Sequence, residues 1–200
     1  MYLPDGTLVW LNSGTKMTYS SDFGVNSRSV RLNGEGYFEV THNKNVPFKI
    51  ETPDLSLHVL GTKFNFKNYS EDDNVSVELL EGKVLLNNKL KNKSQAYMSP
   101  NEKVVLNKKN GAFIKNILNK RNMKSWTEEN LFFDEDKLSD IVNVLMRKYN
   151  VKIKLADSLK QECFYGSFNT KETNLESILK AITLTNRVRL KYENSMYYLY

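Results

Sequence analysis

Cysteine is almost absent: Cys163 stands alone in 200 residues, which excludes an intramolecular disulfide and a thiolate zinc cage. Histidine is nearly as scarce. His42 and His58 are the only two, neither is spaced with other good ligands, and no metal or other cofactor is expected. No apolar run approaches the ~18 residues that a membrane-spanning helix requires. The opening Met1-Tyr2-Leu3-Pro4-Asp5 passes straight into turn-forming residues, without the pattern of a secretory leader. These absences imply a soluble piece of a longer polypeptide. With 40% hydrophobic and 26% charged residues, that piece is globular rather than disordered.

The net charge of +6 is local. Between Leu86 and Lys124 ten Lys/Arg residues face one acid, Glu102, so this segment carries +9 and the remainder −3. A solvated hairpin and linker explain it most simply. Attraction to an anionic membrane comes second. Nucleic acid is not an expected partner, because only Tyr97 and Phe113 are available there as stacking aromatics.

Proline and glycine are unevenly spread. All four prolines and eight of nine glycines lie at or before Gly111. That half reads as strands broken by Asp5-Gly6, Ser13-Gly14, Asn33-Gly34, Glu81-Gly82 and Asn110-Gly111. Leu57 and Val59, then Thr62, Phe64 and Phe66, then Val75, Val77 and Leu79 alternate with period two. Residues 1–118 are therefore expected to be all-β, a roll or sandwich of short antiparallel strands. After Trp126 the period changes. Leu138, Ile141, Val142, Leu145, Met146 and Tyr149 mark one face of a helix, with Asp134 or Asp136 at its start. VKIKL (151–155) and CFYGSF (163–168) read as strands. Thr173 and Glu176 form a capping box for a second helix with face Leu175, Ile178, Leu179 and Ile182. VRLKY (188–192) and MYYLY (196–200) flank a hairpin turn. The fold class is α+β: the all-β part, a basic linker at 119–125, and a small α/β domain at 126–200. Its two βαβ-type halves would place both helices on one face of a small sheet.

RLNGEGYFEV (31–40) is the stretch most open to a chemical interpretation. Asn33-Gly34 predicts a hairpin turn, because type I′ geometry needs positive φ at both central residues. Glu35 and Glu39 stand roughly 13 Å apart at ~3.3 Å per residue, too far for a glycosidase pair at about 5–9.5 Å. A strand follows the glycines where a phosphate loop needs a helix N-terminus, and Gly61-Thr62-Lys63 fails for the same reason. No nucleophile elbow supports a hydrolytic triad. No enzymatic activity is expected from these motifs.

Taken together and in order, LPDGTLVWLNSGTKMTY (3–19), RSVRLNGEGYFEV (28–40), PFKIET (47–52), VLGTKFNFKNY (59–69) and VELLEGKV (77–84) resemble the periplasmic domain of FecR-like anti-sigma regulators. WTEENLFFDEDKLSDIVNVLMRKYNVKI (126–153) resembles the start of the small α/β domain that follows it, which is similar to the secretin/TonB short N-terminal fold. Two positions depart from the pattern. Gly36 replaces a usual alanine, and Glu129 stands where relatives often carry glycine.

The resemblance implies the periplasmic portion of an inner-membrane protein, anchored through an upstream helix. Its partners would be the N-terminal signalling domain of a TonB-dependent outer-membrane transporter and, through a cytoplasmic region, an extracytoplasmic-function sigma factor. Docking is expected on the α/β domain by strand addition, at CFYGSF or at the terminal strand, with Phe164, Tyr165, Tyr197, Tyr198 and Tyr200 as contact residues. Some relatives cleave themselves at a Gly-Thr bond, which makes Gly61-Thr62 a candidate, although a buried strand threonine is the simpler explanation. The rival class is a carbohydrate-binding or hydrolytic β-domain with an α/β accessory, using Trp10 and Tyr37 as exposed stacking aromatics.

Overall fold

Alternation along the first half produces eleven strands, and their hydrogen bonding joins them into one sheet. In this computed structural model, residues 1–90, 93–118, 123, 125–185 and 188–200 are described. The chain is mostly β, with one large sheet and a few small helices. It divides into two compact units, Met1–Lys124 and Ser125–Tyr200. Of the linker expected at 119–125, residues 119–122 and 124 lie outside the described residues.

In the first unit the strands are β1 (Leu8–Leu11), β2 (Lys16–Tyr19), β3 (Arg28–Glu39), β4 (Phe48–Glu51), β5 (Leu55–Val59), β6 (Lys63–Asn68), β7 (Asn74–Glu81), β8 (Val84–Asn88), β9 (Gln95–Met98), β10 (Glu102–Asn107) and β11 (Phe113–Ile117). Their order is β11-β10-β7-β6-β3-β4-β5-β8-β9, with β1 and β2 also on β3. The long β3 organises the roll. Its first part, Arg28–Asn33, pairs with β2 and β4, and its second, Gly34–Glu39, pairs with β1 and β6. Phe38 on β3 meets Phe64 of β6 at 5.2 Å and Phe48 of β4 at 6.0 Å, so both flanks close over one core.

Two expectations fail on β3. Asn33-Gly34 is not a hairpin turn, because the strand runs unbroken through it. Gly34 has φ +135°, and a Cβ there would lie 2.6 Å from Thr15 Cα. The glycine admits Thr15, whose hydroxyl accepts from Glu35 N at 2.9 Å and donates to Glu35 O at 3.0 Å. Pairing is also not antiparallel throughout: β3 and β4 run parallel. Residues 40–47 carry the chain back along β3, and Arg28 fastens that return. Its guanidinium donates to Asp5 Oδ2 at 2.7 Å, Val46 O at 3.0 Å and Thr41 O at 2.6 Å.

In the second unit a 3-10 turn (Ser125–Glu128) leads into β12 (Asn130–Lys137), α1 (Leu138–Tyr149), β13 (Lys152–Leu155), a 3-10 turn (Asp157–Leu159), β14 (Cys163–Asn169), α2 (Leu175–Thr185), β15 (Leu190–Glu193) and β16 (Met196–Leu199). There are two sheets where one was expected: β12-β14, and β13-β16-β15. The halves interleave because β13 pairs with β16, parallel, rather than with β12. Each helix packs on a strand of both sheets, α1 on β12 and β13, α2 on β14 and β15. Leu138, Ile141, Val142 and Leu145 supply the buried face of α1, as their spacing requires.

Both predicted helix starts shift. Neither Asp134 nor Asp136 caps α1; Leu138 N donates instead to Glu162 O at 2.8 Å. For α2 the cap is Asn174, whose Oδ1 accepts from Ser177 N at 3.0 Å. Glu129 has φ +61°, which accounts for a family glycine at that position. Its carbonyl accepts from Thr170 N and Oγ1, each at 2.8 Å, and its carboxylate pairs with Lys148 at 3.1 Å. Asn194 and Ser195, both at positive φ, close the β15–β16 hairpin.

Candidate interaction surface

Alternation on the three-stranded sheet assigns each aromatic a face. Ile153, Leu155, Tyr197, Leu199 and Leu190 belong to or pack against the core. The Tyr197 ring meets that of Tyr192 at 4.6 Å between centroids, tilted by 44°. Tyr198 points the other way, with Lys154 opposite it on β13 and Lys191 opposite it on β15. Tyr200 is 53% exposed, and its backbone exchanges hydrogen bonds with Arg189 at 2.7 and 3.1 Å. β16 is not an edge. It is the central strand, so its backbone offers nothing to an incoming strand.

The other two predicted contact residues lie on the two-stranded sheet. Phe164 is only 3% exposed, between Phe133 at 6.4 Å and Phe168 at 6.3 Å, and is core rather than surface. Tyr165 is 61% exposed and stands with Phe132 on the outer face. Partial desolvation and the Glu135 carboxylate raise its phenol above the usual range. Because β14 has one partner, β12, its other side is open among the described residues. The structure therefore separates Tyr165 from Tyr198 and Tyr200 onto different sheets.

Lysines 152 and 154 were not anticipated as site residues. The alternation of base and aliphatic in VKIKL and VRLKY is the signal that carried them. Only the β13–β16–β15 register places those bases around one tyrosine.

Elsewhere the chemistry-bearing residues have structural partners. Glu35 accepts from Asn12 Nδ2 at 2.8 Å and Asn65 Nδ2 at 2.9 Å. Tyr37 is fully buried, with Trp10 at 5.5 Å, so the proposed sugar-stacking pair is not exposed as expected. Burial pushes the Tyr37 phenol up to about 12, reinforced by Glu39 and Glu81. Burial and Lys49 lower His58.

Gly61 and Thr62 border a shallow cleft of about 210 Å³ with His42, Lys63 and Glu81. Thr62 is buried, and its hydroxyl donates to Lys83 O at 3.4 Å. A Cβ at Gly61 would lie 2.8 Å from His42 Cα, so this glycine lets the residue 42 backbone approach. Among the described residues no three His, Cys, Asp or Glu side chains gather as a metal site. None of their helices is long and apolar enough to cross a membrane.

Five of the ten bases in the basic segment find acids within their own unit. Lys89 pairs with Glu51, Lys103 with Glu78 at 2.9 Å, Lys108 with Asp54 at 3.6 Å, Lys109 with Asp73 at 2.8 Å and Lys115 with Glu102 at 2.7 Å. Four of those acids precede the segment in sequence. Those four offset four of the segment's nine net positive charges.

The described residues build a β-roll followed by a two-sheet α/β module whose outer strands each have one pairing partner. The chain belongs to the FecR family: residues 1–85 match the FecR protein model and residues 130–199 the FecR C-terminal model. It is similar to a candidate anti-sigma factor from Parabacteroides distasonis ATCC 8503. In a 1.65 Å crystal structure of that protein the identity is 32%, the TM-score 0.91, and the match covers 100% of this chain and 92% of the other. A second crystal structure, at 2.50 Å, gives a TM-score of 0.90 with the same identity and coverage. Among curated proteins none matches the chain. The chain is thus a FecR-like anti-sigma factor region with a regulatory role.

Proposed function

We propose that this region works in the periplasm as the sensor of an inner-membrane anti-sigma regulator. It receives a signal from the N-terminal signalling domain of a TonB-dependent outer-membrane transporter and passes it to an extracytoplasmic-function sigma factor held by a cytoplasmic portion. The observation that supports this most is the second unit, with two small sheets whose outer strands have, among the described residues, one side without a pairing strand. Such edges take up a partner strand through backbone hydrogen bonds and need no reactive group. The role is binding rather than catalysis.

Residues 1–200 used as bait in a cell-envelope extract should retain a TonB-dependent transporter. The purified signalling domain of that transporter should then bind in calorimetry. Recovery of no transporter, or a purified domain that does not bind, would remove this function.

A further inference from the structure

We propose that the outer face of the three-stranded sheet docks an extended acidic segment of a partner protein. This deepens the signalling role above and rests on it. With Ile153, Leu155, Tyr197, Leu199 and Leu190 turned to the core, alternation sends Lys152 and Lys154 of β13, Lys191 of β15, the adjoining Arg189, Tyr198 and Tyr200 to the other side. All four bases are exposed. In register, Lys154, Tyr198 and Lys191 form one row across the sheet. Arg189 and Tyr200 are joined through their backbones beside it.

What distinguishes this face from the paired lysines of the first unit's basic segment is that three of its four bases have no ion-pair partner among the described residues. Glu193 on the same hairpin pairs with Lys191 at 2.9 Å, and nearby Asp157 pairs with Lys160 at 2.7 Å. Among the described residues no acid pairs with Lys152, Lys154 or Arg189. An anionic occupant therefore gains contacts here that at Lys89, Lys103, Lys108, Lys109 and Lys115 it would have to displace.

Among the described residues no strand pairs with the outer side of β13, and that edge selects the shape of the occupant. A strand laid along it would exchange backbone hydrogen bonds, and alternate residues would face Lys152 and Lys154. A second copy of β13 would set lysine against lysine, which disfavours self-pairing. An acidic residue at every other position complements both. Tyrosines beside the lysines supply rigid contact area.

The test is an NMR titration of the 15N-labelled 200-residue chain with a synthetic peptide of alternating Glu and Thr, and with its Lys/Thr counterpart. Amide shifts should concentrate in β13 and the facing part of β16 with the acidic peptide only. The double variant Lys152→Glu/Lys154→Glu changes only exposed side chains. With the rest of its spectrum unchanged, it should weaken binding by roughly tenfold or more, and weaken the captured transporter domain similarly. Shifts confined to the first unit, or affinity unchanged in the variant, would overturn the assignment. So would tighter binding at this face by oligothymidine or by phosphatidylglycerol vesicles, which would make it a nucleic-acid or membrane surface. If the transporter domain bound wild type and variant equally, this face would be wrong and the signalling role would stand. If the chain bound no transporter domain, that role would fall, and with it this assignment.

Discussion

Replacing Gly34 by alanine tests the architecture of the first unit at its most constrained point. The residue sits at φ +135°, a region that side chains avoid, and a new Cβ would lie 2.6 Å from Thr15 Cα and 2.7 Å from Thr15 Cβ. Backbone strain there costs about 1–3 kcal/mol, and overpacking against a fixed backbone about 1–3 kcal/mol more. The sum, about 2–6 kcal/mol, is a large part of the ~5–15 kcal/mol that holds a typical protein together. Gly36→Ala is the internal control. Its Cβ would lie 2.8 Å from Phe38 Cε2, the rim of a ring, with no positive φ. A small rotation of that ring limits the cost to about 1–2 kcal/mol. Gly34→Asn separates strand from turn, since asparagine fits the left-handed geometry of a hairpin but not φ +135°. Urea unfolding followed by Trp10 fluorescence, in a Trp126→Phe background, reports the first unit. Gly34→Ala and Gly34→Asn should both lower the midpoint much further than Gly36→Ala. A tolerated Gly34→Asn, or equal costs for the two alanines, would refute the reasoning.

Three further outcomes follow from the same physical features. Tyr37 keeps its proton to about pH 12 in the folded state but loses it near 10 when unfolded, so stability should fall as pH rises from 10 to 12, by about 2–3 kcal/mol in all; thermal unfolding of Tyr37→Phe should lack that part of the alkaline loss, and identical pH profiles would contradict it. Arg28→Met leaves the buried Asp5 carboxylate without its cation and should cost about 3–5 kcal/mol in urea unfolding; a cost below about 1 kcal/mol would mean that Arg28 neither sustains the Asp5 charge nor fastens the 40–47 return. Because the Thr62 hydroxyl donates to Lys83 O, freshly made protein should give only the intact mass; a break between Gly61 and Thr62 that disappears in Thr62→Ala would reveal self-cleavage.

The parts legible in sequence were those written in local periodicity. Alternation located β5, β6 and β7 in the first half, and i, i+3, i+4 spacing located both helices and their buried faces. Glu193-Asn194-Ser195 announced the final hairpin through local turn chemistry. Long-range pairing was not written locally. Nothing in 151–155 or 196–200 says that they lie side by side and parallel, so β16 read as an edge when it is central. Gly34 misled for a related reason. Positive φ is common to a hairpin turn and to a strand that admits Thr15, and only the distant Thr15 distinguishes them. The capping error at α2 was a shift of one residue, because Thr173 and Asn174 are both competent caps. Lys152 and Lys154 looked like ordinary solvent-facing bases until register set Tyr198 and Lys191 beside them.

Hydrogen–deuterium exchange on the 200-residue chain, alone and with the captured transporter's signalling domain, tests most directly whether this region senses by docking on its second unit. Slowed exchange in β13, β15 and β16, within Ser125–Tyr200, is the predicted result. Protection confined to Met1–Lys124, or none at saturating partner, would contradict it.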